Sequence, residues 1–288
     1  MPTLRAEHSS ASLSLYRSGL TPALLTQRAA PDRRPYIHPI LAPDGVGELT
    51  EDQPGHHLWQ HGLYVGLNDL NGVGFWTEGL HDHKDRDGTF HPHPLAPPVL
   101  LGNRAEWNVT ADWRSPAGEP MLTESQRWVL EDHGSSMSLD LEWELRAAVD
   151  LRFGAYPYGG LFLRMPWRVE NDAVLLTSEG ASSPAEAEGK RARWVALSMP
   201  IPGRAVGGAG IAILDHPANP EHPTPWRVDD SFGIAPSRCI AGEWRLSRQA
   251  ATVSRYRVFV YVGGIFPEAV EAEWRKFAVN QANQEIRV

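Results

Sequence analysis

The chain carries a single cysteine, Cys239, in 288 residues. That excludes an intrachain disulfide framework and any cluster or metal centre built on several thiolates. No run approaches ~18 consecutive apolar residues, so no membrane-spanning helix is expected. The first residues, Met1 to Ser14, lack a basic start followed by an apolar core, so no secretory signal is expected and the cytoplasm is the expected location. Positive charge is in deficit, with 27 Lys and Arg against 35 Asp and Glu. Without a basic patch, nucleic acid is not an expected partner. Internal repeats and low-complexity linkers are also missing.

What the chain does have is 11 Trp, 26 Gly and 24 Pro. That mixture points to many short strands joined by turns, with indole rings divided between core and ligand-facing surface. The clearest pattern runs over Ser136–Ala147. Met137, Leu139, Leu141, Trp143 and Leu145 alternate there with Ser138, Asp140, Glu142, Glu144 and Arg146. Period two with one dry and one wet face is an antiparallel strand, and Met121–Leu130 is its expected hairpin partner. Further strands are expected at Ser12–Tyr16, Gly159–Met165, Ala192–Met199, Gly210–Asp215 and Val253–Gly264, while Tyr36–Leu41 is a short apolar run ending in a turn. Only the C-terminus has helical spacing, opened by Pro267 and continued by Val270, Trp274 and Phe277. The expected fold is all-β: a large antiparallel β-sandwich forming a single domain over 1–288, with a short C-terminal helix.

Histidine is distributed unevenly. Seven of the 12 lie between positions 56 and 93: His56, His57, His61, His81, His83, His91 and His93. Pro54-Gly55 is a turn signal, and alternation then runs through Trp59, Leu63, Val65 and Leu67. Read as a strand, this puts His57, Trp59 and His61 on one face and His56 on the other. Asn71-Gly72 closes the segment as a hairpin turn. Residues 79–98 show no periodicity and read as one long loop, a length that is usually functional when it occurs inside a domain. A second group follows a later strand, where His216-Pro217-Ala218-Asn219-Pro220 forms a proline-stiffened turn extended by His222, Trp226 and Arg227. Each of these residues also has a plain structural role open to it: a strand-end histidine bonding a carbonyl, Trp59 as core, Asn219 capping its own turn.

Several stretches together resemble the DUF6807 family, which also carries the label methane oxygenase PmoA. They are Pro35-Tyr36-Ile37-His38-Pro39, the His56-His57 to His61-Gly62-Leu63 run, and Asn71-Gly72-Val73 with Phe75-Trp76. Gly159–Arg164 and Gly210–Pro220 agree with them, so the resemblance covers about residues 35–235. Two departures stand out. The family's Asp-His-Pro-His-His-Arg-Gly appears here with shifted spacing as Gln53–Gly62, and Pro157-Tyr158 precede the glycine pair where the family often has an acidic residue. A carboxylate role there does not carry over. The resemblance implies a soluble bacterial protein of carbohydrate metabolism with a mutarotase-like sandwich. A true membrane methane oxygenase subunit needs membrane helices that this sequence lacks.

The leading expectation is therefore an enzyme, an isomerase, epimerase or lyase, acting on a sugar or oxidised sugar by histidine acid/base chemistry. Epimerisation, ring opening and elimination all need a base and an acid that titrate near neutrality. His57, His61 and His216 are the candidates, with Arg164 to stabilise negative charge on oxygen. His56, Trp59, Asn71, Trp76, Asn219 and Trp226 are candidate substrate contacts. All four catalytic candidates are expected in one pocket roofed by the 79–98 loop. One alternative is a metal-dependent lyase or hydrolase, with a divalent ion held among His57, His61, His81, His83 and His216. The other is a non-catalytic carbohydrate-binding protein.

Overall fold

The computed structural model describes residues 2–81, 85–205 and 207–280. Among them, two antiparallel sheets of eleven and nine strands pack face to face. The nine-stranded sheet is built on the alternating segment, which forms a strand over Ser136–Ala147 as expected. It pairs with Pro120–Asp132 on one side and Ala251–Val262 on the other. Leu139, Leu141 and Trp143 face the sandwich interior and are buried. Asp140, Glu142 and Glu144 face outward, half-exposed, and each pairs with an arginine: Arg257, Arg255 and Arg146 respectively.

The eleven-stranded sheet runs through Leu4–His8, Ser12–Arg17, Leu25–Arg28, Tyr36–Ile40, Leu63–Leu70, Gly160–Leu163, Ile234–Pro236 and Trp226–Val228. Alternate residues of its central strands point into the shared core, among them Leu63, Val65, Leu161, Leu163, Ile234, Trp226 and Val228. Their neighbours Tyr64, Phe162 and Ala235 point outward instead. With Trp76 they form a second buried cluster on the outer face of this sheet. A sheet face that is buried although no other sheet covers it must be covered by loops, and the candidate site lies there.

The outer face of the nine-stranded sheet is covered differently. The helix Pro267–Asn280 lies on it and seats Val270 and Phe277 against Ala212, Leu214, Phe259 and Tyr261. Single-turn helices at Pro184–Ala187 and Arg238–Ala241 add to the one expected. The 79–98 stretch is not loop throughout. Thr89–Pro92 is an edge strand paired with Arg104–Arg114, where the short run Thr-Phe-His-Pro gives too few residues for a period to show. No helix of the described residues is long and apolar enough to cross a membrane.

Candidate functional site

The histidine-rich stretch is not a strand at its start. Strand geometry begins at Leu63. Residues 52–61 instead fold back as a narrow loop. The Gln53 N–H donates to the Gln60 carbonyl at 2.7 Å, and the His57 N–H turns back to Pro54 at 2.8 Å. Pro54-Gly55 therefore acts as the tip of the loop rather than as punctuation before a strand. His57, Trp59 and His61 precede the strand and therefore do not share a strand face. Gly62 makes the exit possible: its φ is +70°, and a Cβ there would lie 2.7 Å from the Ile37 carbonyl oxygen. That turn carries His61 to the outer face of the sheet.

His61 is 3% exposed, and both ring nitrogens face carboxylates: Nδ1 to Asp52 and Nε2 to Glu78, each at 2.7 Å. Carboxylate oxygens only accept, so both nitrogens carry protons and His61 is an imidazolium. Burial alone would lower its pKa, but the hydrogen bonds to Asp52 and Glu78 outweigh it and raise the pKa. Burial likewise opposes ionisation of Glu78, yet the Arg34 cation and His61 hold its carboxyl down at about 2. Tyr36 stacks on the imidazolium at 4.7 Å. Beneath lies Arg34, 1% exposed, donating to the Phe75 and Trp76 carbonyls. Its guanidinium carbon sits 4.5 Å from the Tyr64 ring and 5.0 Å from that of Phe90, so ring faces take the place of further acceptors. His61 is thus a clamp under the site, with no nitrogen free for a ligand.

Above this clamp opens a small cleft of about 90 Å³. His57, Trp59, Trp76, Tyr158 and Phe162 give it aromatic walls, while Gln60, Arg227 and Asp229 supply polar groups. His57 stands edge-on to Trp59 at 5.1 Å, and its Nδ1 shares a hydrogen bond with Nδ1 of His56 at 2.6 Å. Only Nε2 of His57 remains for a ligand. Burial, the neighbouring His56 and the Arg164 cation lower the pKa of His57, which keeps the ring neutral near pH 7. Asp229 is fixed from two sides. Oδ1 accepts the Ser231 and Gly233 N–H groups at 2.9 and 2.8 Å, and Oδ2 accepts Arg164 Nη2 at 2.9 Å.

Arg164, also 1% exposed, does not face the cleft directly. Its other donors go to Gln60 Oε1 and the Ser231 carbonyl, both at 2.6 Å. With these bonds it positions Gln60 and Asp229 instead of meeting a ligand. Arg227 is the cation on the cleft wall, held by Glu188 at 2.7 Å.

The structure brings the catalytic candidate His57 together with Trp59 and Trp76 of the expected contacts, with His56 beside them. His216 does not join them. It lies on the far side of the sandwich against Phe277 of the C-terminal helix, 4.9 Å between rings, and its Nδ1 accepts the Ala218 N–H. Asn219 is used up by Asp215 and by the backbone of Arg255. Trp226 is core, fully buried, donating to Ala192. Asn71 pins its hairpin turn to the backbone of Asp150 and Arg152. Of the 79–98 stretch, His81 packs edge-on to Trp59 of the cleft wall at 5.0 Å; His83 lies outside the described residues. Among the described residues, no three His, Cys, Asp or Glu side chains are grouped to hold a metal ion.

Sequence reasoning missed Asp229, Tyr158, Phe162, Asp52 and Glu78. Asp229-Asp-Ser-Phe-Gly233 has the Asx-turn signature, an aspartate serving backbone N–H groups two and four residues on, and that signal was available. The two clamp carboxylates had none, because their partner His61 is fixed only by the tertiary fold.

A family described as a family of unknown function, DUF6807, matches residues 13–275. No curated protein matches the sequence. Among solved structures, the chain is similar to a galactose mutarotase related enzyme of Lactobacillus acidophilus, with 8% identity over 90% of this chain and 97% of that one, TM-score 0.36. It is similar to a galactose 1-epimerase of Lactobacillus acidophilus NCFM, with 10% identity over 91% and 100%, TM-score 0.41. An alpha-galactosidase of Lactobacillus brevis matches with 9% identity over 91% of this chain and 40% of its own, TM-score 0.36. Scores this low carry no weight on activity.

Proposed function

We propose, for this chain that belongs to the DUF6807 family, that the aromatic cleft binds a sugar or oxidised sugar and that His57 moves a proton on it. The observation that carries this reading is the state of His57. Its ring stands in an aromatic-walled cleft, with one nitrogen bonded to His56 and the other left for a ligand, and burial lowers its pKa. Flat rings suit the apolar faces of a pyranose, while Asp229, Gln60 and Arg227 suit its hydroxyls or an oxidised carbon.

The chemistry follows from the histidine pair. When His57 Nδ1–H donates to His56, Nε2 has a lone pair and acts as base. When His56 donates, Nε2 carries the proton and acts as acid. A base that takes a proton from an anomeric hydroxyl or from carbon beside a carbonyl can therefore return it elsewhere on the same molecule, giving ring opening or epimerisation. Arg227 is the group that stabilises oxygen as charge develops there.

The test is proton exchange. Aldoses, ketoses and uronates are incubated with the protein in D₂O, and anomeric exchange and C–H deuteration are followed by NMR. At least one should exchange faster than without protein, and His57→Gln should remove the effect with the fold intact. A sugar that saturates the cleft without exchange refutes the enzyme and leaves a binding protein.

A further inference from the structure

The cleft does not end at His57. A second, wider hollow opens beside it, lined by Pro54, His56, Trp167, Arg168, Val169 and Ser231. The two hollows share both of their flanking segments. The loop tip gives His57 to the first and His56 to the second, and the later turn gives Asp229 to the first and Ser231 to the second. The bonded histidine pair joins the two linings on one side, and on the other Arg164 ties down the later turn, with Nη2 on Asp229 and Nη1 on the Ser231 carbonyl. One buried cation thus fixes both halves.

The second hollow also has the surface for a second ring. The strand Gly160–Leu163 puts Phe162 in the first hollow, and the chain leaving it delivers Trp167 to the second. Trp167 is half-buried and backed by Phe232, with ring centroids 5.8 Å apart, so its indole is held in place. Val169 is 84% exposed at the rim, a large apolar side chain left in water. Arg168 is held by the Glu51 carboxylate and lends that rim a fixed hydrogen-bonding edge.

We infer that the two hollows are subsites of one groove and that the ligand is a glycoside of at least two linked rings, the second lying on Trp167. This rests on the reading of the first hollow as a sugar site. The experiment is calorimetric titration of the whole protein with glucose, galactose and their methyl glycosides, and with cellobiose, lactose and maltose. At least one disaccharide should bind about tenfold more tightly than its monosaccharide, the size of one added aromatic contact. Trp167→Ala should remove that gain and leave monosaccharide affinity unchanged. If Trp167→Ala does not fold, Val169→Glu at the exposed rim serves the same comparison. Disaccharides no tighter than monosaccharides, or a variant that weakens both alike, overturns the two-subsite groove alone. Absence of binding by every sugar overturns the sugar site and this inference with it.

Discussion

Replacing Glu78 by Gln tests the physical basis of the cleft floor. The carboxylate accepts the Arg34 N–H through Oε1 at 2.8 Å and faces His61 Nε2 through Oε2 at 2.7 Å. A carboxyl that ordinarily titrates at 4.5 and here does so at about 2 links about 3 kcal/mol of stability to its ionised form. Glutamine keeps the shape and one acceptor but not the charge, so the expected loss at pH 5.5–6 is about 2–3 kcal/mol. The sign depends on pH. The folded pKa of Glu78 is depressed, so its contribution is present above 4.5 and is lost as pH falls toward about 2. The folded pKa of His61 is raised, so its contribution is complete below 6.5 and is lost as pH rises through the folded value. Both therefore act in full only between 4.5 and 6.5. Urea unfolding followed by tryptophan emission across pH 3–8 reads this directly. In Glu78→Gln the acid limb should flatten and the alkaline limb should move to lower pH, because His61 keeps only Asp52. A loss under about 0.5 kcal/mol with both limbs unchanged would show that desolvation cancels the clamp and that the reasoning is wrong.

Two further substitutions probe the geometry. Gly62→Ala forces an L side chain into φ +70° with its Cβ 2.7 Å from a backbone oxygen. It should cost about 2–3 kcal/mol in the same unfolding assay and weaken ligand binding by displacing His61; an unaltered midpoint would count against the turn. His216→Ala should leave affinity and any turnover unchanged and cost about 1 kcal/mol or less. A loss of activity without a loss of stability there would return His216 to the site.

The sheets were legible because their residues alternate. Leu139, Leu141 and Trp143 announced a face in a strand long enough to show a period, and the structure has that strand at those bounds. Thr89–Pro92 escaped because four residues carry too little pattern. The site was legible only in part. Clustered histidines and tryptophans marked the right segment, and His57, Trp59 and Trp76 do meet. Their arrangement was not legible, because a loop tip and a left-handed glycine set it, and neither leaves a period. His216 drew attention as a strand-end histidine on a proline-stiffened turn, but its strand belongs to the other sheet. Whether a strand-end residue faces a given cleft depends on which sheet the strand joins, and local sequence does not say.

The buried charges explain why this outer face can hold a cleft at all. Tyr64, Phe162 and Trp76 alone would make an apolar surface that loops could cover by closing flat against it. Arg34 and Arg164 prevent that. Each is 1% exposed and can remain charged only while its partners stay in place: Glu78 and the carbonyls of Phe75 and Trp76 for one, Asp229, Gln60 and Ser231 for the other. Those partners sit on three separate loops: the tip at 52–61, the segment after Phe75, and the turn at 229–233. Moving any of them inward strands a cation or a carboxylate without a partner, at a cost of several kcal/mol. The loops are thereby held apart at fixed positions, and the space between them, with His57 at its mouth, is the cleft.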